Sequence, residues 1–287
     1  MFGSGSLRLG ASLILALGMS VGCGGDEGLG RAETGGSGGS AGSGGSGGST
    51  GGSGGSTGGS GGTTGGTGGS GGDACQKGTT KPSQVVWIGD SYPDAGNGGI
   101  QRYTEQSAQA AGVLAAGATY RRYYAGGTQM ANGQIPGQYT TAKNADPNIT
   151  TVIMTGGGND ILIGNATCLL SPPPANQSCV DTVNKAVAAT EALLTQMQTD
   201  GVKNVIYYFY PRTTLAMSGA NVDYAFPIVK AGCDKFTAPL KCTFIDTRPA
   251  FAGQMFIGPD GIHPNDGGQK AIGGLVWETM QSKCIGL

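Results

Sequence analysis

The sequence predicts an α/β domain in which a parallel sheet carries helices on both faces. Two observations lead there: short β-branched runs alternate with longer helical stretches from residue 84 onward, and the best-defined of these runs end in glycine-bearing polar clusters. The first run is QVVWI at 84–88, followed by a helix over 100–116. Strands at 121–124 and 149–154 come next. Residues 181–199 give the clearest helix, since Val183, Val187, Leu193, Leu194 and Met197 fall near helical spacing between Asp181 and Gly201. A strand over 204–210, a helix over 222–235, a strand over 242–246 and a helix over 266–282 complete the order. In open sheets of this kind, reactive groups gather where strands end at their carboxyl edge.

What precedes this domain has a different character. Residues 35–72 are Gly, Ser or Thr except Ala41, so they have almost nothing to bury and read as a flexible tether. Upstream, Arg8 precedes an apolar run over 9–21, which suits a signal sequence and is shorter than the roughly 20 residues a bilayer span needs. The run ends in Ser20-Val21-Gly22-Cys23, which resembles a bacterial lipoprotein cleavage site with Cys23 as the lipidated residue. Residues 1–22 are thus expected to be a signal peptide, 23–72 a lipidated N-terminus and tether, and 73–287 the folded domain. The alternative is ordinary cleavage and a freely secreted protein. Membrane contact is expected only through such an anchor.

Charge argues against nucleic acid as a partner. Of the 17 Lys and Arg and 18 Asp and Glu, only Arg8, Arg31, Asp26, Glu27 and Glu33 precede the end of the tether, so the domain is formally neutral and lacks a basic footprint. Apart from Cys23, six cysteines remain. Sequence allows 15 pairings of them, and proximity favours Cys168 with Cys179, Cys233 with Cys242, and Cys75 with Cys284 across the ends of the domain. There is no CxxC pair and only one histidine, which argues against a zinc site. No cofactor is expected.

Three polar clusters carry the chemistry: Gly89-Asp90-Ser91 after the first strand, Gly157-Gly158-Asn159-Asp160 after 149–154, and Asp260-Gly261-Ile262-His263-Pro264 before the last helix. Ester cleavage needs a nucleophile, a base, an orienter for that base and donors for the developing oxyanion. Ser91, His263 and Asp260 supply the first three, with Asp260 close enough in the chain to curl back onto the imidazole. The Ser91 amide, the Asn159 side-chain amide and a glycine amide supply the donors. Asp90 and Asp160 read as scaffold residues that accept from nearby backbone amides.

These blocks resemble those of the GDSL/SGNH hydrolase family, in order. Gly89-Asp90-Ser91-Tyr92-Pro93-Asp94-Ala95-Gly96-Asn97 is similar to that family's longer GDSxxDxGN form, with Tyr92 where Leu is commonest. Tyr124-Ala125-Gly126-Gly127-Thr128 resembles its glycine block, which places the oxyanion role on Gly126 with Gly127 as fallback. Gly157 to Asp160 matches GxND, and Asp260 to Pro264 matches DxxHP. The resemblance implies a three-layer α/β/α fold with a mostly parallel, flavodoxin-like sheet and a serine ester hydrolase. Members of that family hydrolyse esters of very different kinds; small acyl esters are expected here, acetylated carbohydrate first because of the expected extracellular location and the longer first block, and a lipid ester second. A non-catalytic binding module on the same fold is the competing class.

Several residues have plainer readings. Ser91 alone is more often a helix cap, and Asn159 could simply stabilise a turn after Gly158, a role that can coexist with donation. Asp94 is open between bracing the loop 94–99 and touching substrate. Tyr207, Tyr208 and Tyr210 read as core and sheet-face residues. The loop between Cys168 and Cys179, with Pro172-Pro173-Pro174, is expected to wall the cleft. A GxSxG pattern at Gly35 to Gly39 lies inside the tether, with no strand before it, and is compositional. Two glycosylation-type triplets, at Asn148 and Asn165, carry no weight beside a bacterial-looking leader.

Overall fold

The computed structural model describes residues 75–287 except 216; the expected leader, Cys23 and the tether lie outside the described residues. Five strands form one sheet: β1 (Val85–Ile88), β2 (Arg121–Arg122), β3 (Thr151–Met154), β4 (Asn204–Tyr208) and β5 (Lys241–Ile245). Their order is β2-β1-β3-β4-β5, with every pairing parallel. This is the flavodoxin-like order, whose direction reverses between β1 and β3. All four residues of both β1 and β3 are buried, as expected of strands covered on both faces.

Helices supply the outer layers. α1 (Ser91–Ala110) packs against α7 (Asp266–Lys283), and α4 (Gln177–Thr199) against α5 (Ser218–Asp234), with the sheet between the two pairs. Right-handed crossovers put the connections on these two sides. α4 buries Val183, Val187, Leu194 and Met197 along one stripe. Its cap is Asn176, whose side chain accepts from the Ser178 amide at 3.1 Å; Asp181, expected at the start, lies a turn inside. The shorter helices are α2 (Gln134–Ala145), α3 (Gly158–Leu162) and α6 (Arg248–Phe251). Among the described residues no helix is long and apolar enough to cross a membrane.

The structure departs from the expected elements in instructive places. α2 is absent from the sequence reading, because only Ile135, Tyr139 and Ala142 are buried along its 12 residues. α1 stops at Ala110 instead of 116: Gly112, at φ +71°, ends it in spite of the alanine-rich continuation. α1 is also broken near its start, where Ala95 is extended and Gly96, Asn97 and Gly98 are left-handed. Ser91 therefore begins a single turn, and the regular helix follows it. Tyr210, expected on a strand face, lies beyond the end of β4.

Three disulfides join Cys75 to Cys284, Cys168 to Cys179 and Cys233 to Cys242, with Cα separations of 5.2 to 5.4 Å. The first closes a loop of 209 residues and the last one of 9. In the chain-entropy description, longer loops confer more stability, about 5 kcal/mol for the first against about 3 for the last. Replacing Cys75 and Cys284 by serine should therefore lower the unfolding free energy more than replacing Cys233 and Cys242, as read by denaturant titration.

Candidate active site

β1 leads straight into the site. Gly89 has φ +144°, and a Cβ there would stand 2.9 Å from the Thr155 carbonyl oxygen, so the turn from β1 needs a residue without a side chain. The Gly89 backbone is held from α2: its N–H donates to Gln138 Oε1 at 2.7 Å, and its carbonyl accepts from Gln138 Nε2 at 2.9 Å. Asp90 caps the next turn by accepting from the Tyr92 amide at 3.1 Å. Ser91 is the first residue of that turn, where a backbone N–H has no acceptor within the helix.

His263 arrives from the other end of the domain. The segment before α7 folds back on itself, with the Gly258 amide donating to the His263 carbonyl at 2.7 Å and the Asn265 amide to Phe256 O at 2.9 Å. Asp260 Oδ1 accepts from the Ile262 and His263 amides, each at 2.9 Å, and Oδ2 faces His263 Nδ1 at 2.6 Å. Burial pushes the Asp260 carboxyl up, but these hydrogen bonds and the imidazole outweigh it and hold the group below its usual value. The other imidazole nitrogen, Nε2, lies 2.7 Å from Ser91 Oγ. Ser91, His263 and Asp260 are thus one connected chain, spanning 172 residues of sequence.

The expected oxyanion donors are also nearby. Asn159 is buried at the start of α3, with Nδ2 donating one hydrogen to Thr128 O at 3.1 Å. A Cβ on Gly126 would lie 4.0 Å from the Ser91 Cβ. The Gly126 N–H is not open, however: it donates to Asp94 Oδ2 at 3.0 Å. Asp160 accepts from the Met130 and Ala131 amides at 2.8 and 2.7 Å, which ties the Asn159 loop to the segment after the glycine block.

Two tyrosines have roles that their sequence context hides. Tyr210 donates to Asp90 Oδ2 and accepts from the Gly158 amide at 3.1 Å, joining the serine loop to the asparagine loop. Tyr92 packs edge-on against Tyr210 at 4.8 Å and donates to Ile262 O at 2.7 Å, joining the serine turn to the histidine segment. The only signal for Tyr92 is its place where Leu is commonest. Nothing local marks Tyr210 or Gln138.

Beside Ser91 an apolar crevice of about 70 Å³ runs between α3, α4 and α5, lined by residues that include Tyr92, Asn159, Leu162, Val187, Tyr210 and Ile262. No residue of the loop 168–179 lines it, so the expected wall from that loop is instead supplied by helices. The loop is tied to α5, where Asn221 Nδ2 donates to Cys168 O at 3.0 Å.

Burial pushes the Asp90 carboxyl up to about 6, against the hydrogen bonds from Tyr210 and the Tyr92 amide. A carboxyl with a raised value in the folded state favours folding when protonated. That contribution is complete below its ordinary value of 3.8 and is lost as the pH rises through about 6. Tyr210→Phe removes a donor to the ionised form and leaves the Gly158 amide without its acceptor. The variant should lose about 1–3 kcal/mol of stability, with the deficit growing between pH 4 and 7 in denaturant titrations; a deficit that shrinks over that range would contradict the assignment.

Comparisons with known proteins bear on the family and the fold. The family model described as GDSL-like Lipase/Acylhydrolase family matches residues 87–271, whereas no curated protein matches the chain. Among solved structures, a carbohydrate esterase family 3 protein from Talaromyces cellulolyticus is 19% identical, with 70% of this chain and 97% of that one covered and a TM-score of 0.51. The lipase Lip_vut3 from a goat rumen metagenome is 13% identical over 69% and 97%, with a TM-score of 0.56. An acetyl xylan esterase, AlAXEase, is 13% identical over 68% and 98%, with a TM-score of 0.51. At these identities the likeness is one of fold, while the family match spans most of the described residues: the chain belongs to the GDSL-like lipase/acylhydrolase family.

Proposed function

We propose that the protein is a serine ester hydrolase in which Ser91 is the nucleophile, His263 the general base and Asp260 its orienter. The observation that carries this is the unbroken contact from Asp260 Oδ2 through His263 to Ser91 Oγ, at 2.6 and 2.7 Å. Ser91 Oγ adds to the ester carbonyl carbon as its proton passes to His263 Nε2, and the carbonyl oxygen becomes the oxyanion. The Ser91 amide and the second hydrogen of Asn159 Nδ2 are the donors at hand, with the Gly126 amide a third once Asp94 releases it. Collapse breaks the bond to the alcohol, which takes the proton from His263. Water then gives a proton to the same nitrogen as its oxygen adds to the acyl carbon, and collapse releases the acid and Ser91 Oγ, which takes the proton back from His263. Asp260 remains a carboxylate throughout.

The acyl half fits a small group. A crevice of about 70 Å³, under half the roughly 150 Å³ of an apolar cavity that admits benzene, suits a short acyl chain. Acetylated carbohydrate is the leading substrate class, as in the solved neighbour described as an acetyl xylan esterase. A long-chain lipid ester would require α4 and α5 to part. Three disulfides suit an oxidising compartment, in keeping with export and with display from a lipidated Cys23.

Hydrolysis of short 4-nitrophenyl esters tests the reading. Ser91→Ala should lose about four or more orders of magnitude in kcat, and Asp260→Asn about four. Undiminished turnover in Ser91→Ala would leave another mechanism, and no turnover by the wild-type protein would leave a binding module. Along the acyl series, kcat/KM should fall at least about tenfold from butyrate to octanoate, since the lengthening chain outgrows the pocket.

A further inference from the structure

We infer that Asp94 makes this site select esters whose alcohol bears a hydroxyl on the carbon next to the ester-bearing one, as in acetylated polyols and sugars; the inference rests on the serine-hydrolase reading above. It begins with an amide already in use. Gly126 N–H donates to Asp94 Oδ2 at 3.0 Å. A Cβ on Gly126 would stand 3.2 Å from that oxygen and 4.0 Å from the Ser91 Cβ, so carboxylate, glycine amide and nucleophile share one small region. Both Asp94 and Gly126 are exposed, and among the described residues no cation is paired with Asp94.

This arrangement works against a plain ester. An N–H held by a carboxylate is not aimed at a developing oxyanion, and a second negative charge close by opposes that oxyanion. A substrate hydroxyl beside the ester relieves both effects. It donates to the Asp94 carboxylate and draws it toward the alcohol and away from Gly126, so that the glycine amide is released to the reacting oxygen. Binding of the correct alcohol and completion of the donor set are then one event, which is a route to specificity in the transition state. A simple alkyl alcohol offers Asp94 nothing.

The surroundings fit such an alcohol. Beyond the left-handed run Gly96-Asn97-Gly98, which sets Asp94 apart from the regular helix, lies a cleft of about 640 Å³ lined by Asn97, Gln101, Arg102, Arg122, Tyr123 and others. Tyr124, on its rim, is two residues from Gly126, at most about 7 Å of chain. The crevice that Ser91 lines is apolar, whereas this neighbouring cleft offers donors, acceptors and aromatic rings suited to several hydroxyls.

Ethyl acetate and 2-hydroxyethyl acetate carry the same acyl group and differ only by the hydroxyl. With Ser91→Ala as the blank, the wild-type protein should prefer the hydroxyl-bearing ester by about tenfold or more in kcat/KM. Asp94→Ala should bring the two esters within about twofold, with ethyl acetate cleaved at or above the wild-type rate. Asp94→Asn, which keeps an acceptor oxygen and removes the charge, should fall between. An unchanged ratio in Asp94→Ala, or parallel losses on both esters, would overturn the inference and leave Asp94 as a brace for its loop. A wild-type protein no faster than Ser91→Ala on either ester would instead sink the hydrolase reading itself, and this inference with it.

Discussion

A carboxylate buried at the end of β1 organises the site. Asp90 is 1% exposed, and burial on that scale is tolerated only because its oxygens receive hydrogen bonds from the Tyr92 amide and the Tyr210 hydroxyl. The first bond shapes the turn that presents Ser91. The second recruits Tyr210, which in turn holds the Gly158 amide and so sets the position of Asn159. One buried charge thereby couples the nucleophile's loop to that of the proposed oxyanion donor, and loosening it disturbs both.

The sheet makes this coupling possible. β1 and β3 are parallel neighbours, and the order in which the strands are laid down reverses between them, so their carboxyl ends open a crevice that no connection crosses. Ser91 and Asn159 stand on its two sides. His263 has no strand to deliver it. The folded-back segment before α7 brings it instead, and α7 packs on α1, the element that begins with Ser91. The Cys75–Cys284 bridge then fastens the end of α7 to the segment preceding β1.

The two sides of Ser91 differ in kind. Side chains of α3, α4 and α5 line the crevice that is proposed to take the acyl group. The polar cleft beyond the left-handed run is lined by α1, by the edge strand β2 and by the segments flanking β2, and it is the side inferred to take the alcohol. Under the proposed division, acyl groups are sorted by size and alcohols by hydrogen bonding, and hydrogen bonding is capable of the larger ratios.

By itself the sequence determined the alternation of strands and helices, and with it the parallel sheet, because buried strands must be runs of apolar residues and their connections must be helical. It also marked Ser91, Asn159, Asp260 and His263, whose residue types and close neighbours are what the proposed chemistry requires. Only the tertiary structure decided that Tyr210 serves Asp90 rather than a sheet face, that Gln138 on an inconspicuous helix holds Gly89, and that the Gly126 amide is spent on Asp94. Those partners are separated by 120, 49 and 32 residues. Local pattern governs backbone conformation, but which distant donor meets which acceptor depends on how whole elements pack, and no local pattern carries that information.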